Sequence, residues 1–473
     1  MRVTPALIRW GGLAGSAATA GAAWLGGAGF ERLPSVNPGT LLSGQRGVLL
    51  PVLWVAGTAA LILAWWFGRH VVPSVRWAVV TVGLWFLPVL AFLPLGSADV
   101  YSYACQGWVQ HAGGDPYGGG VGGSGCPWLG SVDRTWASSP APYGPFYLLL
   151  SGWAAAAAGS SLPAVIVGLR VIALLGLALL AAGLPVLARR AGGLPGLAGD
   201  AGGLAGRAGA DPAKAVWVVL ACPIVAIHMV SGAHNDAVMM GLIVAGLAVV
   251  VRWPRLLWAG GAALGLAVAV KATAVVVIPF AVLLVSRDWR RLWRPAVPIL
   301  GGALGALGVV SLLSGRGVGW IGGLLRSGDT VAWTSPPTAV GLTIELATGY
   351  DAVPVTRALG VALLAVVLVV LFFRCLRRGD PLGHAGLALA ATVVCAPVFH
   401  PWYALWPLAV LAAVRAESRW LLGLCAFAAT LTLPAGYNWA LFTRVPGAVL
   451  MTCAVVVLVV VATRRRAARR VVA

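Results

Sequence analysis

Between Gly96 and Phe146 the chain gathers side chains that can do chemistry: GSADVYSYACQGWVQHAGGDPYGGG, a Gly-rich passage, then SSPAPYGPF. If residues 97 to 110 form a helix, Asp99, Tyr103, Gln106 and Gln110 recur at i, i+4, i+7 and i+11 and share one face. Ser97 suits the N-cap. That leaves Asp99 in the first turn, where the helix dipole favours its anion. A carboxylate so placed can take a proton from an attacking hydroxyl, or it can merely cap a helix in a solvated loop. A concentrated polar stripe in a chain starved of polar groups favours the chemical reading. Asp115, in the turn Gly114-Asp115-Pro116-Tyr117, either shapes that turn or presents Tyr117 for stacking on a sugar.

Other polar groups stand out against apolar surroundings. His234-Asn235-Asp236 falls between two apolar runs, where it could cap a helix or bind a ligand. Lys271 follows fourteen apolar residues. Arg170 lies eight residues into its run, roughly 12 Å deep. Cations at such depth are costly and mark a function, or an ion pair with Asp99 or Asp236 that fixes helix packing. His400-Pro401-Trp402-Tyr403 adds a titratable ring and two aromatics, and taken alone the aromatics favour a membrane-interface belt. The chain has no Walker motif, no strand-borne GxGxxG and no HExxH, so the sequence asks for no cofactor and no metal.

The elements that must position these residues are apolar helices. Hydrophobic residues make up 60% of the 473, charged residues 10%, and mean hydropathy is +0.92. Apolar runs of membrane-spanning length recur throughout, so the fold class is all-α: a polytopic integral membrane protein with about 14 transmembrane helices (13–15), from 10–30 to 446–463. Among them, 215–231, 402–415 and 420–436 read as single spans, and the short pair 257–270 and 272–286 suggests a dip or break at Lys271. The run 144–159 reads as a juxtamembrane helix. The net charge of +20 is not a nucleic-acid patch, because 24 of the 33 Lys and Arg cluster at alternate loops, from Arg2 and Arg9 to Arg464–Arg466, Arg469 and Arg470. That bias places both termini in the cytoplasm, with Arg2 and Arg9 opening an uncleaved first helix.

The whole chain reads as one membrane domain. Its first extracytoplasmic loop is 97–161, a flexible cytoplasmic linker covers 189–214, and a second extracytoplasmic loop covers 315–353. Cys105 and Cys126 share the first loop and could form a disulfide if it faces an oxidising exterior. Cys222, Cys375, Cys395, Cys425 and Cys453 read as small core residues. No internal repeat is present to support an inverted-repeat transporter.

Taken together, SADVYSYACQG, GDPYGGG, PYGPF, HND, Lys271 and HPWY resemble the GT-C superfamily of membrane glycosyltransferases. Within it they look most like the actinobacterial polyprenol-phosphate-mannose-dependent α-(1→6)-mannosyltransferases. The resemblance implies a GT-C architecture, a polyprenol-phosphate mannose donor and a lipid-linked mannan acceptor of lipomannan and lipoarabinomannan type. It implies an extracytoplasmic active site in the bilayer, and no nucleic acid. It makes Asp99 the base and sets Lys271, with Arg170 or His400, at the donor phosphate. Tyr101, Tyr103, Gln106, Asp115, Tyr117, Tyr143, His234, Asn235, Asp236, Trp402 and Tyr403 would line the sugar and acceptor pocket. One acidic residue rather than a close pair would mean single displacement with inversion. A transferase of arabinofuranose or glucose, or a lipid-linked-sugar flippase, would carry much of the same pattern.

The charge bias makes a testable statement about orientation. A single cysteine placed at Gly119 should be labelled by an impermeant thiol reagent in intact cells, and one at Gly202 should not.

Overall fold

The computed structural model describes residues 3–26, 48–92, 94–191, 210–326, 331–434 and 438–471. Most of the expected cytoplasmic linker, and residues 327–330 of the second loop, lie outside them. Among the described residues the secondary structure is helical with no strand, only a bridge between Thr432 and Asn438. The main helices are α1 Pro5–Gly26, α2 Leu49–Gly68, α3 Val75–Ala91, α4 Asp99–His111 and α5 Pro145–Ala158. They continue with α6 Leu162–Ala191, α7 Pro212–Leu220, α8 Asp236–Arg252, α9 Leu257–Val270 and α10 Trp293–Leu313. The last are α11 Pro336–Thr348, α12 Val353–Arg378, α13 Pro381–Cys395, α14 Leu405–Arg415 and α15 Arg444–Val471.

Among the described residues, five helices are long and apolar enough to cross a bilayer: α2, α6, α10, α12 and the Arg444–Arg464 part of α15. There are six if α7 and the π-helical turn Val225–Ser231 form one bent span. Several expected spans are instead short or interrupted. The run 215–231 bends by 69°, where Pro223 follows the end of α7 and its missing N–H breaks the ladder. The expected break at Lys271 is present: α9 stops there, Lys271 is extended, and a 3₁₀ segment Ala272–Val277 precedes the next helix, Ile278–Val285. Span 402–415 begins as a 3₁₀ turn, Pro401–Ala404, before α14, and 420–436 shortens to Arg419–Thr430. The π-helical turn Val225–Ser231 lies wholly inside the bundle, where backbone without helical partners can be satisfied in a membrane, whereas Val275 of the 3₁₀ segment and Trp420 are exposed. By contrast α12 and α15 are only 11% buried over their apolar windows and turn Leu363, Val366 and Val457 outward.

Four of the five free cysteines are buried as expected. Cys453 is exposed, because α15 presents that face outside the bundle.

Arg170 corrects an expectation. It is 4% exposed on α6, but its guanidinium faces no carboxylate. Nε and Nη2 donate to Ser231 O at 3.1 and 3.0 Å, Nη1 to Leu90 O at 2.8 Å and Nη2 to Phe92 O at 2.7 Å. These carbonyls end α3 and the turn before the HND segment, and they lack helical partners. The fixed fork of an arginine can serve all three. Arg170 therefore fixes where two interrupted elements meet, with its donors on backbone carbonyls. Depth alone had marked it as costly without saying what repaid the cost.

Arg170→Met should strand these buried carbonyls and lower stability by on the order of 3 kcal/mol. Thermal unfolding in detergent would measure it, while donor affinity in the folded fraction stays unchanged.

Candidate active site

α4 begins at Asp99 as the i, i+4 pattern requires, although Ala98 rather than Ser97 is the capping residue. Ser97 Oγ accepts from Asp99 N at 3.1 Å. The Asp99 side chain is 14% exposed. Trp136 Nε1 donates to its Oδ1 at 3.1 Å, and His234 Nδ1 stands 3.9 Å from its Oδ2. Burial raises the carboxyl to a pKa of about 6, opposed by the Trp136 hydrogen bond, by Lys271 and by Ser97.

Further along the same face, Tyr103 OH lies 3.1 Å from His234 Nδ1. The Tyr103 ring packs edge-on against Tyr143 and Tyr147, with centroids 5.2 and 5.3 Å away. Gln106, one turn on, is buried with neither amide atom hydrogen-bonded. Gln110 leaves the stripe: its Nε2 donates to Ser314 O at 2.8 Å, and its Oε1 accepts from Arg316 Nε at 3.0 Å. It ties α4 to the second loop.

The PYGPF turn reaches the other side of the site. Gly144 N donates to Val270 O at 3.0 Å, and a Cβ on Gly144 would lie 2.2 Å from Ala269 O. Only glycine permits this approach, which sets Tyr143 beside the end of α9, where Lys271 follows. Lys271 Nζ donates to Asp236 Oδ1 at 2.8 Å, and Trp406 Nε1 donates to the same oxygen at 2.7 Å. The ammonium also lies over the rings of Tyr403 and Trp406, 4.6 and 4.8 Å from their centroids. Asp236 is wholly buried, Lys271 12% exposed. The ion pair weighed as an alternative role for a deep cation is therefore present, made by Lys271 rather than Arg170.

His234 sits between carboxylates, since its Nδ1 is also 3.9 Å from Asp236 Oδ2. A second acid thus stands near Asp99, against the expectation of one. The chain reaches His234 through Ala233, whose φ of +48° is a conformation that non-glycine residues adopt at a cost. Asn235 is buried with neither side-chain amide atom bonded.

HPWY completes the wall. Trp402 lies 4.2 Å from the His234 ring and stacks on His400 at 4.6 Å. It is 8% exposed, so it belongs to the site and not to an interface belt. Burial, with Lys271 nearby, lowers His400 to a pKa of about 4, leaving a neutral ring. The segment is held from the second loop: Thr334 Oγ1 donates to Phe399 O at 3.0 Å, Ser335 Oγ to Ala396 O at 2.7 Å and Thr338 Oγ1 to Pro397 O at 2.6 Å.

The structure does not bring every expected residue here. Tyr117 OH donates to Tyr143 O at 2.9 Å, its N–H is held by Asp115 Oδ1 at 2.9 Å, and its ring packs with Ala141, Leu148 and Trp320. Asp115 and Tyr117 thus make the contacts of a turn that shapes the loop, one of the two roles open for them. Tyr101 is buried in the main core. Cys105 and Cys126, whose pairing the sequence left open, are bonded, with Cα atoms 5.5 Å apart, and fasten the loop to α4. Trp136, Tyr147, His228 and Trp406 went unread. His228 lies six residues before His234 and its ring is 4.9 Å from Trp402. Trp406 is one helical turn beyond Trp402, the signal that could have found it.

An all-helical membrane protein with one buried, mixed-charge site is the class these features define. Residues 9–201 and 197–287 match the family described as Alpha-(1->6)-mannopyranosyltransferase, N-terminal domain, and residues 336–464 match MptB C-terminal domain. Alpha-(1->6)-mannopyranosyltransferase A of Mycobacterium tuberculosis (strain ATCC 25618 / H37Rv) is 32% identical over 439 residues, covering 87% of this chain and 81% of the relative. A probable alpha-(1->6)-mannopyranosyltransferase of Mycolicibacterium smegmatis (strain ATCC 700084 / mc(2)155) is 30% identical over 76% of this chain and 69% of its own. Alpha-(1->6)-mannopyranosyltransferase B of Corynebacterium glutamicum is 26% identical over 73% of this chain and 60% of its own. No solved structure matches. The chain belongs to the alpha-(1->6)-mannopyranosyltransferase family, and is a membrane mannosyltransferase. The flippase reading falls away.

Removing one partner of the ion pair should reveal the other's dependence on it. Lys271→Met should cost about 3–5 kcal/mol by stranding the Asp236 carboxylate. Adding Asp236→Asn should recover most of that loss in thermal unfolding.

Proposed function

We propose that this enzyme transfers mannose from polyprenol-phosphate mannose to a lipid-linked mannan acceptor, forming an α-(1→6) linkage of the lipomannan and lipoarabinomannan core. The reaction takes place at the outer membrane face of a GT-C architecture with about 14 membrane passages, several made by short or broken helices. Both termini are cytoplasmic. The observation that carries this reading is a partly exposed carboxylate, Asp99, at the start of α4 and under the influence of the largely buried Lys271 cation.

Asp99 is the general base. Its raised pKa brings it close to the working pH, where a base still ionised accepts a proton most effectively. As the acceptor hydroxyl attacks the anomeric carbon, its proton passes to Asp99, and the bond to the phosphate oxygen breaks. A phosphate leaves readily once its charge is neutralised, so no general acid is required. Lys271 supplies that neutralisation: of its three donors one is on Asp236 and another engages the Tyr403 side chain, and the third can face a phosphate oxygen. His400, being neutral, can donate a hydrogen bond but adds no charge. Asp236 does not act as a second nucleophile in this scheme, because Lys271 and Trp406 hold it out of solvent. Single displacement therefore stands, inverting a β-mannosyl phosphate to an α-linked product. Tyr103, Gln106, Tyr143, Asn235, His234, Trp402 and Tyr403 line the sugar pocket.

Membranes assayed with labelled polyprenol-phosphate sugars and a short α-(1→6)-mannoside acceptor test the reading. Mannose should transfer, and arabinofuranose and glucose should not. Asp99→Asn should lower turnover 10²-fold or more with the fold intact. In the parent enzyme the rate should climb with pH up to about 6 and level off above, because only the ionised carboxylate serves. At pH 5 it should be about a tenth of the plateau.

A further inference from the structure

Trp136 belongs to the short helix Arg134–Ser138 in the outer loop, 37 residues from the carboxylate it meets. Its indole nitrogen has a donor and no acceptor, so it bonds the ionised form of its partner more strongly than the protonated form. It bonds one oxygen of Asp99 and not the other. Oδ2 stands 3.9 Å from His234 Nδ1, beyond hydrogen-bond reach, while the Ser97 hydroxyl also favours the carboxylate from the same end of α4. We propose that Trp136 is the positioning residue of this site: its N–H holds Asp99 Oδ1, fixes the carboxylate plane and leaves Oδ2 to take the acceptor proton. This inference rests on the reading of Asp99 as base.

The loop is built to deliver that contact. The disulfide ties Cys126 to α4, Trp128 packs on Trp108 with centroids 5.8 Å apart, and Trp128 Nε1 donates to Ser160 O at 2.9 Å. The Gly-rich passage then runs directly against the Trp136 helix. A Cβ on Gly120 would lie 2.1 Å from Ala137 O and 2.5 Å from Ser138 C, so the two backbones touch. Any larger residue at 120 must push the helix, and the indole with it, off Asp99.

Charge around the carboxylate is otherwise fixed by the protein's interior. Lys271 stabilises the anion, Asp236 opposes it, and Tyr103, Tyr143 and His234 are uncharged polar neighbours. On the tryptophan's own stretch, Asp133 precedes its helix and Arg134, which begins it, is exposed. Of the hydrogen bonds to the Asp99 side chain, the indole's is the one supplied by a segment that can be shifted without touching the ion pair.

Trp136→Phe keeps an aromatic ring and deletes the donor, whereas Gly120→Ala keeps the donor and displaces it. In both, loss of a hydrogen bond to the anion should move the acid limb of the rate profile up by about one pH unit. With each rate normalised to its own plateau, the value at pH 6 should fall about fivefold below the parent's, from about a half to about a tenth. Infrared titration of the protonated carboxyl band, taken as the difference from the matching Asp99→Asn protein, reads the same shift without turnover. An unmoved band and limb in Trp136→Phe overturn the inference, even where the plateau falls. A shifted band with an unshifted limb upholds the contact and rejects Asp99 as the base, so the two failures are distinguishable.

Discussion

One oxygen atom, Asp236 Oδ1, receives both the Lys271 ammonium and the Trp406 indole in a site closed to solvent. A carboxylate buried in an apolar bundle is tolerable only when so compensated. Each partner comes from a different interrupted element: Asp236 follows the π-helical turn, Lys271 ends α9, and Trp406 begins α14 after a 3₁₀ turn. The interruptions expose backbone groups that lipid could not satisfy. The ion pair, the Arg170 fork and the hydroxyls of Thr334, Ser335 and Thr338 satisfy or organise the ends. Polar compensation and catalytic geometry are thus one arrangement.

The strain at Ala233 belongs with this. A left-handed residue directly before His234 turns the chain sharply, so that His234 and Asp236 both face inward while Asn235 lies between them. A regular helix could not present three consecutive polar side chains to a single buried site. The ring of Trp402 then fills the space over His234.

What could be read from residues alone follows from scarcity. Acidic residues and deep cations are so few here that Asp99, Asp236 and Lys271 stood out, and so did the break beside Lys271. All-helical architecture followed from composition. Arg170 shows the limit of that logic: its depth announced a cost, but carbonyls of α3 and the turn before HND, distant in the chain, repay it. Tyr117 and Asp115 kept two readings open because a turn that shapes a loop and a turn that offers a ligand use the same residues. Trp136, Trp406 and His228 were hidden for the opposite reason. With 22 tryptophans in the chain, no single one is conspicuous until its neighbours are known. Helix count suffered similarly, since apolar length does not reveal where a helix will bend.

The site also straddles a boundary of ancestry. Asp99, His234, Asp236 and Lys271 lie in the stretch matched by the N-terminal domain of the family, whereas His400, Trp402, Tyr403 and Trp406 lie in the stretch matched by the C-terminal one. The Asp236 carboxylate needs its indole from across that boundary, and the Lys271 cation rests on rings from the far side. Exchanging either stretch for a relative's therefore keeps the buried charge matched only where that relative supplies the same partner across the boundary. The two matched stretches form one physical unit at this site although they are recognised as two.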